Sequence, residues 1–388
     1  MLITRSAPLA QFCAALKGVP YIAVDTEFVR ERTYFPQLCL IQVAHGAHAA
    51  AIDPLAEGLD LTPLRALLLD SSILKVFHAA KSDLEILYKE FGQVPSPVFD
   101  TQVAAAACNL GDQAGYGTLV EKLMGVDLDK ASQATDWSLR PLTERQVAYA
   151  VGDVTHLGRI YELLADELNS RGRTDWIAKD MAALQDEQRY RVVPGEAYKS
   201  IHLRRASRQT LCVLRELASW REQTAMQRNL PSRWVLPDAA LVEIAQHMPE
   251  DTARLARVRA LKPAVAFGPD GRTLLALVRR ARALPEDAWP DLAERRTPLA
   301  GQDSLVSLFQ VLLKLCCETH GVAARMVASR EDLDQLAVLD SPDIPCLSGW
   351  RRDIFGAEAL ALRAGQLALT AQGGRVVRVD LTPPAAPG

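Results

Sequence analysis

Short apolar runs alternate with amphipathic stretches along the first part of the chain. Runs bounded by polar and turn-forming residues predict four strands, at Tyr21–Val24, Leu38–Val43, His48–Ile52 and Lys75–His78. Three strands that follow one another closely, and then strands separated by helices, are typical of a mixed sheet. We therefore predict that the chain begins with an α/β domain, in which helices flank a mixed sheet.

Two helix starts are marked by capping boxes, in which a Ser or Thr is followed three residues later by Glu or Gln. The box Ser82–Glu85 predicts a helix that ends at Gly92, and the box Thr143–Gln146 predicts a long helix that ends near Leu168. The long helix has an apolar stripe, which predicts that one of its faces packs against the domain core.

The rear of the chain has no strand signals after residue 170. Its apolar positions recur at helical spacing in two blocks, which begin at Arg208 and Leu305, and the Pro- and Ala-rich end Thr382–Gly388 is predicted to be frayed. The predicted organisation is an α/β domain at 1–170, a linker with some helix at 171–205, two all-α domains at 206–290 and 291–372, and a tail at 373–388.

Charge is distributed unevenly between the two halves. Residues 1–170 carry 13 Lys+Arg and 21 Asp+Glu, whereas residues 171–388 carry 31 and 26. A basic rear half suits a phosphate-facing surface, and an acidic front half suits a nuclease only where some carboxylates hold cations. The alternative is ordinary variation of surface charge.

The seven cysteines include no C-x-x-C pair, so they give neither a disulfide framework nor a zinc signature. Such cysteines fit a reducing compartment. No long apolar segment follows Met1, which predicts no secretory signal, and no apolar run approaches the length of a membrane span. The sequence therefore predicts a cytoplasmic protein without a membrane segment.

Four acidic residues lie at strand ends and helix faces of the predicted α/β domain. Asp25 and Glu27 end the first strand, where a spacing of two residues puts both side chains on one face. Asp83 begins a helix, and Asp153 follows Tyr149 by one turn of the long helix, on the far side from its apolar stripe. If the four carboxylates meet, they repel one another unless cations neutralise them.

Carboxylate oxygens are hard ligands that select Mg²⁺ or Mn²⁺. Two such ions about 4 Å apart would activate a water and stabilise the leaving oxygen in phosphodiester cleavage. Each acid also has an ordinary explanation. The helix dipole favours Asp83 in a first turn, Asp25 and Glu27 are also explained as strand-end acids that face water, and Tyr149 and Asp153 as part of a solvent-facing stretch.

The order of these residues along the chain resembles the exonuclease motifs of the DEDD superfamily, in its tyrosine-containing (DEDDy) branch. The motifs are Asp25-Thr26-Glu27-Phe28, His78-x₄-Asp83 and Tyr149-x₃-Asp153. Longer segments resemble the ribonuclease D family, namely Asp25–Gln42, Leu128-Asp129-Lys130, Thr135-Asp136-Trp137 and Arg140-Pro141-Leu142-Thr143-x-x-Gln146. The resemblance runs through residues 1–170 and implies a ribonuclease-H-like fold, in agreement with the predicted α/β domain.

The resemblance also implies a role for each motif residue. Asp25 bridges two divalent ions, Mg²⁺ or Mn²⁺, while Glu27 and Asp153 complete the site of the first ion and Asp83 serves the second, directly or through water. Tyr149 orients the attacking water. Because an ordinary tyrosine has a pKa of about 10, it is a poor general base at neutral pH. In-line attack expels the 3′-oxygen and releases a nucleoside 5′-monophosphate.

Aromatic residues near the motifs are candidates for binding the terminal bases, since stacking tolerates any base. The candidates are Phe28, Tyr34, His78 and Trp137. Phe77 is a further aromatic candidate, and core packing explains it more simply. The candidates for phosphate contacts are Arg30, Arg32 and Lys81, although exposed basic residues are usually only solvated.

Residues 208–246 resemble an HRDC domain, through Trp220-Arg221 and Trp234-Val235-Leu236 among other positions. Residues 305–369, which include Gly349-Trp350-Arg351, resemble the divergent second module of the family. Both Trp220 and Trp234 are interpreted as core residues rather than base-stacking residues.

Basic residues cluster in the rear half. Residues 189–233 hold ten Lys+Arg against three acids, and residues 254–282 hold eight against one. Such clusters neutralise phosphates and predict salt-sensitive RNA binding. The alternative is a basic surface on a module that only packs against the first domain.

Taken together, the motifs predict a 3′→5′ exoribonuclease that trims RNA with an accessible 3′ end. The resemblance implies tRNA precursors and other small structured RNAs as substrates, and the chain is predicted to be a monomer. One alternative is a DNA 3′→5′ exonuclease, because only the 2′-hydroxyl distinguishes the two substrates. A second alternative is a non-catalytic RNA-binding adaptor, against which the complete set of acids argues.

Overall fold

The structure is a computed structural model of the chain, and it describes residues 1–127, 135–203, 206–291 and 302–381. The predicted motif Leu128-Asp129-Lys130 and the predicted frayed end at 382–388 lie outside the described residues. The chain forms two compact units. The sheet unit comprises 1–27, 39–189 and 296–388, and the helical unit comprises 28–38 and 190–295.

The front of the sheet unit contains a six-stranded mixed sheet of order β1-β4-β3-β2-β5-β6. Its strands are β1 (Leu2–Ile3), β2 (Tyr21–Val29), β3 (Gln37–His45), β4 (His48–Ile52), β5 (Leu74–Phe77) and β6 (Val98–Asp100). Strands β3 and β4 are antiparallel, whereas β2, β5 and β6 run parallel to one another. The predicted mixed sheet is confirmed, and the short strands β1 and β6 were not predicted.

Helices flank this sheet. They are α1 (Ser6–Ala15), α2 (Thr62–Leu68), α3 (Lys81–Phe91), α4 (Thr101–Ala107), α5 (Tyr116–Met124), α6 (Glu144–Ser170) and α7 (Thr174–Leu184). The predicted capping box of α6 is confirmed, because the Thr143 side chain accepts a hydrogen bond from Gln146 N at 3.2 Å. The long helix carries its apolar residues Val154 and Leu157 toward the sheet, where they are buried.

The capping box predicted at Ser82 is wrong. Helix α3 begins one residue earlier, and its N-cap residue Ala80 makes no side-chain cap. The backbone N–H groups of Ala79 and Ala80 instead donate to the two carboxylate oxygens of Asp100, at 3.0 and 2.9 Å. A buried acid at the end of β6 therefore supplies the cap that the local sequence was expected to supply.

The helical unit packs its helices around one apolar core. They are α8 (Arg208–Arg228), α9 (Ser232–Val235), α10 (Asp238–His247), α11 (Thr252–Leu255), α12 (Pro263–Phe267) and α13 (Pro269–Arg282). Trp220 packs against that core, as predicted. The prediction for Trp234 is wrong, because 55% of this residue is exposed. Helix α9 is a single turn at the surface, and Leu236, which is 1% exposed, fills the core instead.

The rear of the sheet unit is helical and ends in a hairpin. Its elements are α14 (Gln302–His320), α15 (Ala324–Val327), α16 (Arg330–Val338), α17 (Gly349–Arg351), a π-helical turn at Arg352–Gly356, α18 (Ala357–Arg363), β7 (Leu367–Gln372) and β8 (Arg375–Asp380). The expectation of no strands after residue 170, and of a tail from 373, is wrong here. Gly373 and Gly374 both adopt positive φ angles, which permits a two-residue hairpin turn.

The rear helices share a hydrophobic core with the front of the sheet unit. Phe309 of α14 and Phe355 of the π-helical turn belong to the same buried cluster as Leu164 of α6. The rings of Trp176 (α7) and Trp350 (α17) stack with centroids 4.3 Å apart and planes 4° apart. The predicted second helical domain at 291–372 therefore does not have a core of its own, and the predicted domain ranges otherwise stay predictions.

A helix that crosses a bilayer must be both long and apolar. Within the four described ranges, no helix is both long enough and apolar enough to cross a bilayer.

Candidate active site

Three of the predicted acids converge where β2 faces α6. Asp25 and Glu27 project from β2, and Asp153 projects from α6. One carboxylate oxygen of each lies within 4.8 Å of the others. We call these three residues the acid cluster. The structure thus brings together carboxylates from a strand and from a helix that are far apart in sequence.

Asp83 lies beside the acid cluster, in the first turn of α3. Its carboxylate oxygen Oδ1 accepts a hydrogen bond of 2.5 Å from the Thr26 hydroxyl, and Thr26 lies between Asp25 and Glu27 on β2. Asp83 is 7% exposed, and no positively charged group among the described residues lowers its pKa. It is therefore a fourth buried acid that is tied to the same strand.

Burial raises the pKa of all four acids, and repulsion from neighbouring acids adds to this effect for Asp25, Glu27 and Asp83. The pKa of Asp25 rises to about 7, that of Glu27 to about 9 and that of Asp153 to about 6. Burial and the nearby Asp25 also raise the pKa of Asp83 well above its ordinary value. At neutral pH and without a cation, Glu27 therefore keeps its proton and Asp25 is about half protonated, whereas Asp153 is mostly ionised.

The donor set of the acid cluster fits a hard divalent cation. All its ligand atoms are carboxylate oxygens, and their mutual distances allow one ion to contact all three residues. Oxygen ligands of this kind suit Mg²⁺ or Mn²⁺. Among the described residues, the acid cluster is where three or more Asp, Glu, His or Cys side chains lie close enough to share one ion.

Tyr149 lies one turn before Asp153 on α6, and its hydroxyl donates a hydrogen bond to the Asp153 carboxylate. Burial, followed by the charge of Asp153, raises the pKa of Tyr149. The hydroxyl therefore stays protonated at neutral pH and acts as a hydrogen-bond donor rather than as a base.

The predicted substrate-binding residues have different surroundings. Phe28 is half-buried on β2, and the Tyr34 hydroxyl donates to Glu222 within the helical unit. His78 Nδ1 lies 3.0 Å from Thr101 Oγ1. Trp137 is 3% exposed, with its ring centroid 6.2 Å from that of Tyr149. Their binding roles stay predictions.

The other candidates for substrate contacts divide between core and surface. Phe77 is fully buried, as core packing predicted. The phosphate candidates Arg30, Arg32 and Lys81 are all exposed. Exposure leaves these three cations accessible to a polyanion, and their phosphate contacts also stay predictions.

Two interactions around the site were not predicted from the sequence. The first is made by Tyr116, whose hydroxyl donates to the main-chain oxygen of Asp153. The second is the ion pair of Arg140 with Asp53, in which Nε and Nη2 contact the two carboxylate oxygens at 2.7 and 2.6 Å. Arg140 also donates to Trp137 O, so it attaches the segment before α6 to the sheet. The R-P-L-T motif contained Arg140 but did not reveal its partner.

The raised pKa values predict how pH affects the stability of the metal-free protein. Carboxylates of the unfolded chain titrate near pH 4, so between about pH 4 and pH 9 the folded state binds more protons. The free energy of unfolding should therefore fall by several kcal/mol as pH rises from 5 to 9 in EDTA, since each group contributes about 1.4 kcal/mol per pH unit over which only the folded state keeps its proton. Thermal unfolding in EDTA and in excess Mn²⁺ measures this, and Mn²⁺ should reduce the decline.

The double variant Asp25→Asn/Asp153→Asn is the control for this prediction. It removes two of the titrating groups, so its metal-free stability should decline less between pH 5 and pH 9. An equal decline in the variant and the wild type would show that other groups cause the pH dependence.

Comparison with known proteins first defines the class. A family model described as a 3′-5′ exonuclease matches residues 1–169, and an HRDC domain model matches residues 211–278. These two models describe a 3′→5′ exonuclease domain followed by an HRDC domain, in the order in which the structure has its sheet and its helical unit. The predicted HRDC resemblance of residues 208–246 is confirmed by this match.

Full-length relatives then define the family. Ribonuclease D of Gluconacetobacter diazotrophicus is 46% identical over 379 residues, which cover 98% of this chain and 96% of that protein. Ribonuclease D of Acidiphilium cryptum is 44% identical over 384 residues, which cover 98% and 97%. The crystal structure of Escherichia coli RNase D, described as an exoribonuclease involved in structured RNA processing, matches with a TM-score of 0.81 at 37% identity, covering 94% of this chain and 98% of that chain.

The chain belongs to the ribonuclease D family of 3′→5′ exoribonucleases. Enzymes of this family depend on metal ions and act on RNA. The predicted enzyme class is therefore confirmed, and the DNA exonuclease and non-catalytic adaptor alternatives are not needed.

Proposed function

We propose that this enzyme trims RNA 3′ ends by hydrolysis with two divalent ions, and releases nucleoside 5′-monophosphates. The observation that carries the proposal is the acid cluster, in which three carboxylates with raised pKa values lie within 4.8 Å of one another. Asp83, buried beside them, is the ligand that a second ion requires. Carboxylates that are buried so close together can all be ionised only when bound cations offset their charge.

Each of these residues has a proposed role in metal binding or in orienting water. Asp25, Glu27 and Asp153 would hold one ion, and Asp83 would hold the second together with Asp25. Bound divalent ions supply the charge that lowers the pKa of water and stabilises the leaving oxygen. Tyr149, which remains protonated, donates a hydrogen bond and thereby orients the attacking water.

We infer that the substrates are tRNA precursors and other small structured RNAs, acted on by a monomer in the cytoplasm. The description of the Escherichia coli relative, an exoribonuclease of structured RNA, supports the substrate class. All seven cysteines are buried and free, which suits a reducing compartment. Phe28, Tyr34, His78 and Trp137 are proposed to contact the RNA end.

A direct comparison of substrates tests this proposal. Structured RNAs with 3′ single-stranded tails, and DNA tails of the same sequence, are incubated with enzyme and Mn²⁺, and the products are separated by chromatography. The proposal requires 5′-monophosphates released from the 3′ end of RNA, with DNA degraded more slowly. Release of 3′-monophosphates, or hydrolysis in EDTA at the same rate, would contradict it.

The helical unit is proposed to bind the RNA strand upstream of the site. Trp234 and Phe267 are 55% and 65% exposed, which is unusual for large aromatic side chains. Arg233, Lys262 and Arg272 are exposed beside them in sequence. Exposed rings interleaved with cations are typical of surfaces that stack on bases and neutralise phosphates.

Replacing both Trp234 and Phe267 with alanine should therefore weaken RNA binding. Each stacked base contributes about 1–3 kcal/mol, so Kd for a single-stranded RNA should rise at least about 10-fold. Fluorescence anisotropy in EDTA measures binding without hydrolysis. Leu308→Ala, an exposed apolar residue of α14, is the control and should leave Kd unchanged. Equal affinity of the double variant and the wild type would remove these rings from the RNA-binding surface.

A further inference from the structure

Helix α6 must hold Asp153 at a fixed distance from β2, because the acid cluster combines one residue of this helix with two of that strand. Below the site, Val154 and Leu157 of α6 pack against Ala23 of β2 and Val76 of β5. Apolar packing sets the distance between helix and sheet, but it leaves the helix free to slide and rotate slightly along the interface. A directional contact at Asp153 itself would remove that freedom.

The Tyr116 side chain makes such a contact. Its hydroxyl donates to the main-chain oxygen of Asp153, and Gly152 O lies 3.4 Å away. Each carbonyl oxygen has two lone pairs, so one within a helix accepts this bond in addition to its regular helical bond. Tyr116 therefore attaches the N-terminal end of α5 to the turn of α6 that presents Asp153.

The tyrosine is itself fixed by its neighbours. Its ring packs against the His78 ring, with centroids 5.7 Å apart, and His78 Nδ1 lies 3.0 Å from Thr101 Oγ1. Thr101 Oγ1 in turn donates to Phe77 O at the end of β5. Contacts of Tyr116 with His78, and of His78 with Thr101, thus connect the hydroxyl-bearing ring to the sheet that carries Asp25. Burial, and then the charges of Asp153 and Asp25, raise the pKa of Tyr116, so it remains a donor at neutral pH.

We propose that Tyr116 is a positioning residue, whose hydroxyl fixes the α6 turn so that Asp153 shares a cation with Asp25 and Glu27. This inference rests on the proposed function, because it assumes that the acid cluster holds a metal ion. The Tyr116 hydroxyl bonds the main-chain oxygen of Asp153, so it acts through that residue.

The variant Tyr116→Phe tests the inference, because it keeps the ring and removes only the hydroxyl. The loss of one hydrogen bond should raise the apparent Kd of the metal-free protein for Mn²⁺ by about 3- to 10-fold, measured by calorimetry. At limiting Mn²⁺, kcat on RNA should fall by a similar factor, and saturating Mn²⁺ should restore most of it. KM for RNA should not change.

Tyr21→Phe is the matched control. The Tyr21 hydroxyl also joins β2 to α6, by a 2.9 Å hydrogen bond to Oε1 of Glu162, a residue outside the acid cluster. Its removal should leave the Mn²⁺ affinity unchanged. If Tyr116→Phe and Tyr21→Phe both bind Mn²⁺ like the wild type, or if both weaken it equally, Tyr116 has no positioning role.

A third variant separates this inference from the proposed function. Asp153→Asn should lose Mn²⁺ binding by far more than Tyr116→Phe, because it removes a ligand. If Asp153→Asn binds Mn²⁺ normally, the proposed site fails, and the inference fails with it. If Asp153→Asn loses binding while Tyr116→Phe keeps it, only the inference fails. A defect of Tyr116→Phe that excess Mn²⁺ does not rescue would indicate misfolding and would also contradict positioning.

Discussion

Replacement of Asp25 with asparagine is expected to lower kcat/KM for RNA hydrolysis by about 10³-fold or more, which corresponds to about 4 kcal/mol. Asparagine has almost the same shape, but it carries no charge and donates hydrogen bonds through its NH₂ group. Asp25 raises the pKa of both Glu27 and Asp83 by its charge, so it lies within electrostatic range of the other acids. Its loss should therefore weaken both proposed metal sites.

Hydrolysis of a 3′-labelled single-stranded RNA at several Mn²⁺ concentrations measures this effect. The control is Asp166→Asn, which removes an exposed acid from α6, the helix that also carries Asp153, and should keep near-normal activity. Because Asp25→Asn relieves repulsion among buried acids, the metal-free form of this variant should be at least as stable as the wild type at pH 8. A folded Asp25→Asn enzyme that keeps a tenth of the wild-type kcat/KM would contradict the proposed role.

Trp350→Ala is expected to produce the largest loss of stability. Arg173 lies 4.5 Å from the Trp176 ring centroid and Arg351 lies 4.5 Å from that of Trp350, so the two stacked rings are flanked by two cations. Removing one ring deletes half of the stack and leaves Arg351 without its aromatic partner. The expected cost is about 3 kcal/mol, which lowers the unfolding midpoint by about 5–10 °C.

Thermal denaturation followed by circular dichroism tests this expectation. Trp234→Ala is the matched control, because it removes the same side chain from an exposed position and should shift the midpoint little. If both variants unfold at the wild-type temperature, the stack does not stabilise the attachment of the rear helices. The shared core that includes Phe309 and Leu164 would then account for that attachment alone.

The parts of the fold that local patterns determine were predictable. Strands β2 to β5 and helix α6 are long or strongly patterned, and Thr143 caps α6 as its sequence predicts. Other features depend on partners distant in sequence. Asp100 caps α3 from a strand more than a dozen residues away, so the nearby Ser82 was a false signal. The hairpin turn at Gly373 has a Gly-Gly pair that indicates a turn, but the helical pattern of the preceding residues favoured a tail there instead of a strand pair.

The candidate site shows the same division. Spacing placed Asp25 and Glu27 on one face of a strand, and Tyr149 and Asp153 on one face of a helix. Only the order of the motifs along the chain indicated that these side chains converge, because local sequence patterns do not determine the distance between a strand and a helix. Tyr116 belongs to no motif, because a hydroxyl that binds a main-chain oxygen leaves no trace in the sequence of its partner.

Anomalous diffraction from crystals soaked in Mn²⁺ tests the central claim most directly. The account predicts a strong manganese peak that is ligated by carboxylate oxygens of Asp25, Glu27 and Asp153, and a second peak on the Asp83 side. Crystals of Asp153→Asn should show a weaker first peak or none. Full occupancy of manganese elsewhere in the molecule, with no peak at these acids, would contradict the account.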